Sequence, residues 1–195
     1  LIVDINRAPD DISKEYVSGE EGVIVQLAQD GKEVYSEPPS QEQMDALVQK
    51  YHDPYHEAIG ELIPNVRFLF DCHSYLPVGP KMKMDQGVER PDVNIGNLRY
   101  STCVRDHTIF VRDFFKEKGF TVGINVPYAG GYVLAHHCHR RRIPPFLVPG
   151  MQIELNQKLY VDNDSLEPLP GKVEELHACF GELVDAFTKR FLPEM

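Results

Sequence analysis

Residues 67–75 read RFLFDCHSY: strand-forming residues run straight into an acid, a thiol, an imidazole and a hydroxyl. The short apolar, aromatic run predicts a β-strand. Such a strand either ends in a polar turn, or it carries His73 to the edge of a sheet as a metal ligand. Three other segments repeat the pattern. LIVDI is followed by Asn6 and Arg7, TVGI by Asn125, and MQIELN contains Glu154 and Asn156. In a parallel sheet, polar groups at equivalent strand ends converge on one place. A glutamate inside the strand-like MQIEL is costly to bury without a partner, which is how a general base beside a metal would look.

Outward from that stretch, short apolar or β-branched runs predict strands over residues 1–5, 66–70, 121–125 and 151–155. Ser40 and Gln43 make a capping-box signature, and Met44, Leu47, Val48, Tyr51, Tyr55, Ile59 and Leu62 follow at helical spacing. Pro54 is expected to kink or split that helix. A second helix is predicted over 100–118, stopped by Gly119. The last helix carries Val173, Leu176, Phe180, Leu183, Val184, Phe187 and Phe191 in one stripe, which reads as core packing. Strands alternating with helices predict an α/β fold with a mostly parallel or mixed central sheet flanked by helices. Segments 10–39 and 77–97, rich in Pro, Gly and charge, are predicted as loops.

With 195 residues, 42% of them hydrophobic, residues 1–195 are expected to form a single domain with an ordinary core. A net charge of −10 argues against a nucleic-acid partner, since phosphate binding wants a basic surface. No apolar run approaches the roughly 20 residues that a membrane helix needs, so no membrane partner is expected. Cys72, Cys103, Cys138 and Cys179 are irregularly spaced with no CxxC pair, which reads as reduced thiols in the cytoplasm. The chain begins at Leu1, without an initiator Met and inside a strand-like run, so a preceding segment is expected.

Six motifs taken in order carry a family resemblance: VDINRAP, YHDPYH, DCHS, RPDVNIGN, NVPYAGGY and MQIELNQKLY. Together they resemble the N-formylglutamate amidohydrolase family, a branch of the zinc carboxypeptidase-like fold, over about residues 3–162. The resemblance implies Zn²⁺ as cofactor, with His73 as the last of three ligands. The other two, a His and an acid, are expected N-terminal to Leu1. It implies Glu154 as the general base that takes a proton from the zinc-bound water. Arg7, in the Asn6-Arg7 pair, is implied to grip a substrate carboxylate. Arg90, Asp92 and Asn94 match a motif that lines the site, and Asn125, Gly130 and Gly131 are counted with the substrate-binding set. The implied substrate is a small anionic N-acyl amino acid, N-formylglutamate first. Where the family often has His-Ala-Leu-Gln before the base, this chain has Pro149-Gly150-Met151-Gln152, which bears on substrate range.

The residues alone leave bland readings open beside these. His73 is then a structural histidine, Glu154 an ion-pair partner of Arg7, and Arg90 a solvated charge. His52 and His56 have the i, i+4 spacing of a helix-borne metal pair, but Pro54 between them disturbs it. Residues 136–139, HHCH, are too close together to converge on one tetrahedral ion and read as an active-site loop beside Arg140, Arg141 and Arg142. Two alternatives to an amidohydrolase stand: a carboxypeptidase-like peptidase, and a binding module that has lost its metal. Oligomeric state is not set by the sequence.

Overall fold

The computed structural model describes residues 3–11, 22–28, 31–81, 83–141 and 147–192. Leu1 and Arg142, both singled out in the sequence, lie outside them. The Ser40 capping box forms as expected, with Ser40 Oγ accepting from Gln43 N and Gln43 returning a bond to Ser40 N. It starts helix α1 (Gln41–Leu47), which runs through a π-helical turn (Val48–His52) into α2 (Asp53–Leu62). Pro54 sits in the first turn of α2, directly after the π-helical turn, so the predicted helix is interrupted at the proline without ending there.

Four strands form one sheet among the described residues: β1 (Leu69–Tyr75), β2 (Val93–Gly96), β3 (Val122–Ile124) and β4 (Gly150–Asn156), in the order β1-β4-β2-β3. β1 runs parallel to β4 and β2 parallel to β3, while β2 and β4 are antiparallel. The sheet is therefore mixed. Side chains alternate across a strand, and the alternation here divides apolar from polar. Met151, Ile153, Val93 and Ile95 point into the core, against Val111 and Phe115 of α3 (Arg105–Glu117) and Leu183 and Phe187 of α5 (Lys172–Phe191). Asp71, His73, Tyr75, Gln152, Glu154, Asn156 and Asn94 occupy the alternate positions, on the opposite face. Of the α5 stripe predicted from the sequence, Leu183 and Phe187 are buried in the core and Phe180 and Phe191 pack against it, while Val173 and Val184 are exposed.

Four expectations change. Residues 3–5 form no strand: Val3 makes one antiparallel bridge to Ile24, and the chain then turns because Asp4 Oδ1 accepts from Asn6 N. The predicted loop 77–97 contains β2, whose Asn94 and Gly96 hide it from propensity but whose four residues are all buried. The helix predicted from residue 100 starts at Arg105, because Leu98, Arg99 and Tyr100 all take positive φ. Of residues 136–139, read as a loop, His136 and His137 instead form the last turn of α4 (Tyr132–His137). All four cysteines are free thiols. No helix among the described residues is long and apolar enough to cross a membrane.

Candidate active site

The polar face of the sheet becomes a site because two segments fold over it. Residues 125–131 cross above β2, close enough that a Cβ on Gly96 would lie 2.9 Å from Ala129 C and Gly130 N. Asn94 holds this crossing segment by both ends of its amide, donating to Tyr128 O at 2.8 Å and accepting from Val126 N at 3.2 Å. A side chain on Gly131 would overlap that of Asn6, so this glycine lets the N-terminal turn approach. From the other side, the segment after β1 folds back on two bridges, Val78 to Glu89 and Gly79 to Gln86. Between them lies a cavity of about 260 Å³. Asn6, Arg7, His73, Ser74, Lys83, Arg90, Tyr128, Gln152 and Glu154 are among its lining.

Strand register explains the centre of this cavity. His73 on β1 stands opposite Glu154 on β4, and Asp71 opposite Gln152. Asp71 Oδ1 lies 2.7 Å from His73 Nε2, while Asp71 Oδ2 accepts from Gln152 Nε2 at 3.2 Å. The carboxylate therefore fixes the tautomer, with the proton on Nε2 and the lone pair on Nδ1. Burial pulls the His73 pKa down, but the Asp71 hydrogen bond and the charges of Asp71, Glu154 and Asp4 outweigh it and leave it above its ordinary value. A field that favours a proton on this ring favours a metal cation there too.

Glu154 is 7% exposed. Burial pushes its pKa up to about 7, with His73 and Arg90 opposing and Asp71 adding to the rise. A carboxyl of that basicity can both take and give a proton near neutrality. Arg7 pairs with Asp4 at 3.6 Å and not with Glu154, and its side chain is 30% exposed. Its guanidinium is thus open to an anionic ligand.

Arg90 lines the cavity but is committed elsewhere. Its Nε and Nη2 donate to the two oxygens of Asp85 at 2.6 and 2.9 Å, Nη2 also to Tyr128 OH at 3.1 Å, and Nη1 to Leu76 O at 3.4 Å. Its guanidinium lies over the Tyr75 and Tyr128 rings, 5.5 and 5.2 Å from their centroids. It braces the cavity wall.

Three of the sequence-selected residues lie outside the lining. Asp92 accepts from Thr121 and pairs with Lys158 at 2.9 Å, Asn94 holds the crossing segment, and Asn125 exchanges amide bonds with Asn97. The structure adds Tyr75, Tyr128 and Gln152 to the site. Tyr75 and Gln152 were readable, since they sit two residues from His73 and Glu154 on the same face.

As to metal, the donor chemistry fits one zinc ligand, the Nδ1 of His73. Among the described residues no three His, Cys, Asp or Glu side chains group around a possible ion. His52, His56 and His137 come together away from this cavity. Larger hollows between α3 and α5 (about 490 Å³) and beside Lys118 (about 540 Å³) bring together no comparable set of base, imidazole and arginine.

Comparison with known proteins bears on the family and the fold. The family model of N-formylglutamate amidohydrolase matches residues 1–161. An N-formylglutamate amidohydrolase from Ralstonia eutropha JMP134 has a similar fold, with TM-score 0.77 and 20% identity over 96% of this chain and 74% of that one. A gene product from Agrobacterium tumefaciens is also similar, with TM-score 0.59 and 16% identity over 95% of this chain and 67% of that one. No functionally curated protein matches.

Proposed function

Because the chain belongs to the N-formylglutamate amidohydrolase family, we propose that it hydrolyses the amide bond of a small N-acyl amino acid, N-formylglutamate first, to formate and glutamate. The observation that carries the reading is the single small cavity shared by a buried carboxyl of raised pKa, a carboxylate-oriented imidazole and an open arginine. In this reading Glu154 accepts a proton from the attacking water and passes it to the nitrogen of the leaving amine as the C–N bond breaks. The water oxygen stays with the formyl carbon, giving formate. Arg7 grips the substrate carboxylate through two parallel hydrogen bonds, which holds the scissile amide over Glu154. The confined volume favours an N-acyl amino acid over a peptide.

Zn²⁺ is the proposed cofactor, with His73 as one ligand and two further ligands from outside the described residues. When bound it would polarise the formyl carbonyl and acidify the attacking water. Asp71 keeps the His73 ring in the tautomer that leaves Nδ1 available.

The role of Arg7 is open to direct test. Arg7→Lys is expected to raise KM for N-formylglutamate about tenfold or more, since a point charge cannot reproduce a two-pronged grip. The penalty should shrink for a substrate whose carboxylates are amidated. Steady-state kinetics on both substrates measure this. An equal loss on both would mean that Arg7 only braces its loop.

A further inference from the structure

Three buried histidines hold the Arg7 loop from behind, and the proposed chemistry leaves them unused. His52, at the end of the π-helical turn, His56 on α2 and His137 on α4 are 2%, 8% and 3% exposed. His56 Nε2 lies 2.8 Å from Ile5 O, and His52 Nε2 lies 2.9 Å from Arg7 O. A carbonyl only accepts, so both Nε2 atoms carry the proton. His56 Nδ1 is then an acceptor, and His137 Nε2, 2.9 Å away, donates to it. The protons therefore run in one order from His137 to His56 to Ile5. Between the two clamped carbonyls, Asn6 O accepts from Tyr132 N and Asn6 Oδ1 from Val133 N, each at 2.9 Å. Three consecutive carbonyls are thus held by elements about 50 and 130 residues away in sequence.

We infer that His52 and His56, with His137 behind His56, are positioning residues that set the direction of the Arg7 guanidinium toward the substrate carboxylate. The inference rests on the reading of Arg7 given above. Arginine has a long, rotamer-rich stem, so a directed grip needs its Cα fixed and its first torsions confined. The clamp fixes the backbone on both sides of Asn6, and Asp4 confines the side chain through its 3.6 Å ion pair. The clamp needs a neutral ring at His56, because a proton on His56 Nδ1 would face the N–H of His137, whereas His52 Nδ1 faces Asp53 Oδ1 at 3.3 Å. Burial, with His52 and His136, holds His56 below its ordinary pKa against the Ile5 hydrogen bond and Asp53. Burial, then His136 and His56, pulls His137 down to about 4. Tyr132 and Tyr55, whose rings pack on His56, complete the surroundings.

The test is calorimetric binding of N-formylglutamate to the full chain supplied with Zn²⁺, with Glu154→Gln in every sample to block turnover. His56→Leu removes the donor to Ile5 and is expected to weaken binding about tenfold, roughly one buried hydrogen bond expressed through geometry. His56→Gln, whose amide N–H can reach the same carbonyl, should recover to within about threefold. A purely space-filling role would give the opposite order or no difference, which overturns the inference. If Arg7→Lys leaves binding unchanged, the reading of Arg7 itself fails and the inference goes with it. If Arg7→Lys weakens binding and His56→Leu does not, the clamp alone is overturned. Should His56→Leu fail to fold, histidine ¹⁵N spectra of the unsubstituted chain decide. A proton on Nε2 is expected at both His52 and His56, with His56 Nδ1 unprotonated, and an Nδ1–H tautomer at His56 overturns the clamp.

Discussion

Glu154→Gln is expected to lower kcat for N-formylglutamate by about 10²–10⁴-fold while leaving the fold and substrate binding in place. The amide keeps the shape of the side chain and its place opposite His73 in the strand register. It loses only the basicity. A second consequence appears in the metal-free protein. Burial raises the Glu154 carboxyl from its ordinary 4.5 to about 7. The folded state therefore holds a proton there that the unfolded chain has already released, and stability falls as pH rises from about 4.5 through about 7. Glu154→Gln removes that penalty. It should be more stable than the unsubstituted chain at pH 8, by on the order of 2–3 kcal/mol, and should lose this advantage below pH 4.5. Urea denaturation at both pH values reads the difference. A fall in kcat with no pH-dependent gain in stability would mean that Glu154 is not desolvated as described.

Asp85→Asn is expected to destabilise the protein by about 3 kcal/mol, although Asp85 touches no part of the proposed chemistry. Its carboxylate takes two hydrogen bonds from the guanidinium of Arg90, whose side chain is 2% exposed. Loss of the carboxylate leaves a buried cation without its counter-charge. Arg90→Met should cost less, because the Asp85 left behind is 24% exposed and can be hydrated. The Arg90 hydrogen bonds hold Asp85 below its ordinary pKa of 3.8 against the opposing effect of burial. The pair's contribution is therefore intact above that pH and fades as acid titrates through the lowered value. Because this pair pins the segment that closes the cavity, Asp85→Asn should also weaken substrate binding. Thermal unfolding of both variants, with binding measured beside it, gives the comparison. A larger loss in Arg90→Met than in Asp85→Asn would show that stacking on Tyr75 and Tyr128, not charge pairing, holds this wall.

Local pattern made much of this molecule legible, and the rest depends on long-range contact. β4 and α5 announce themselves through an apolar run and a helical stripe, and both are found close to where the sequence places them. β1 was read from its apolar start and in fact continues through DCHSY, because its polar residues find partners on β4. β2 could not be read from its own four residues. Asn94 and Gly96 disfavour a strand, and only burial between β3 and β4 makes one. α4 is six residues long and is held at its start by Asn6, a contact 127 positions away. In the site, His73, Glu154 and Arg7 were visible as polar groups at the ends of apolar runs. The commitment of Arg90 to Asp85 was not, since a bidentate pair five residues apart in a loop leaves no periodic trace. The histidine clamp was hidden for a related reason. Pro54 spoils the reading of His52 and His56 as a regular pair, while the partners that explain them are the carbonyls of residues 5 and 7.

The central claim, that one cavity built on His73, Glu154 and Arg7 cleaves a small N-acyl amino acid, is tested most directly by following formate release from N-formylglutamate in the presence of Zn²⁺. The protein is expected to release formate and glutamate in equal amounts over many turnovers, with Glu154→Gln reduced to a small residue of that rate. Saturable binding of N-formylglutamate with no formate above the Glu154→Gln level would contradict the claim and leave a binding protein in its place.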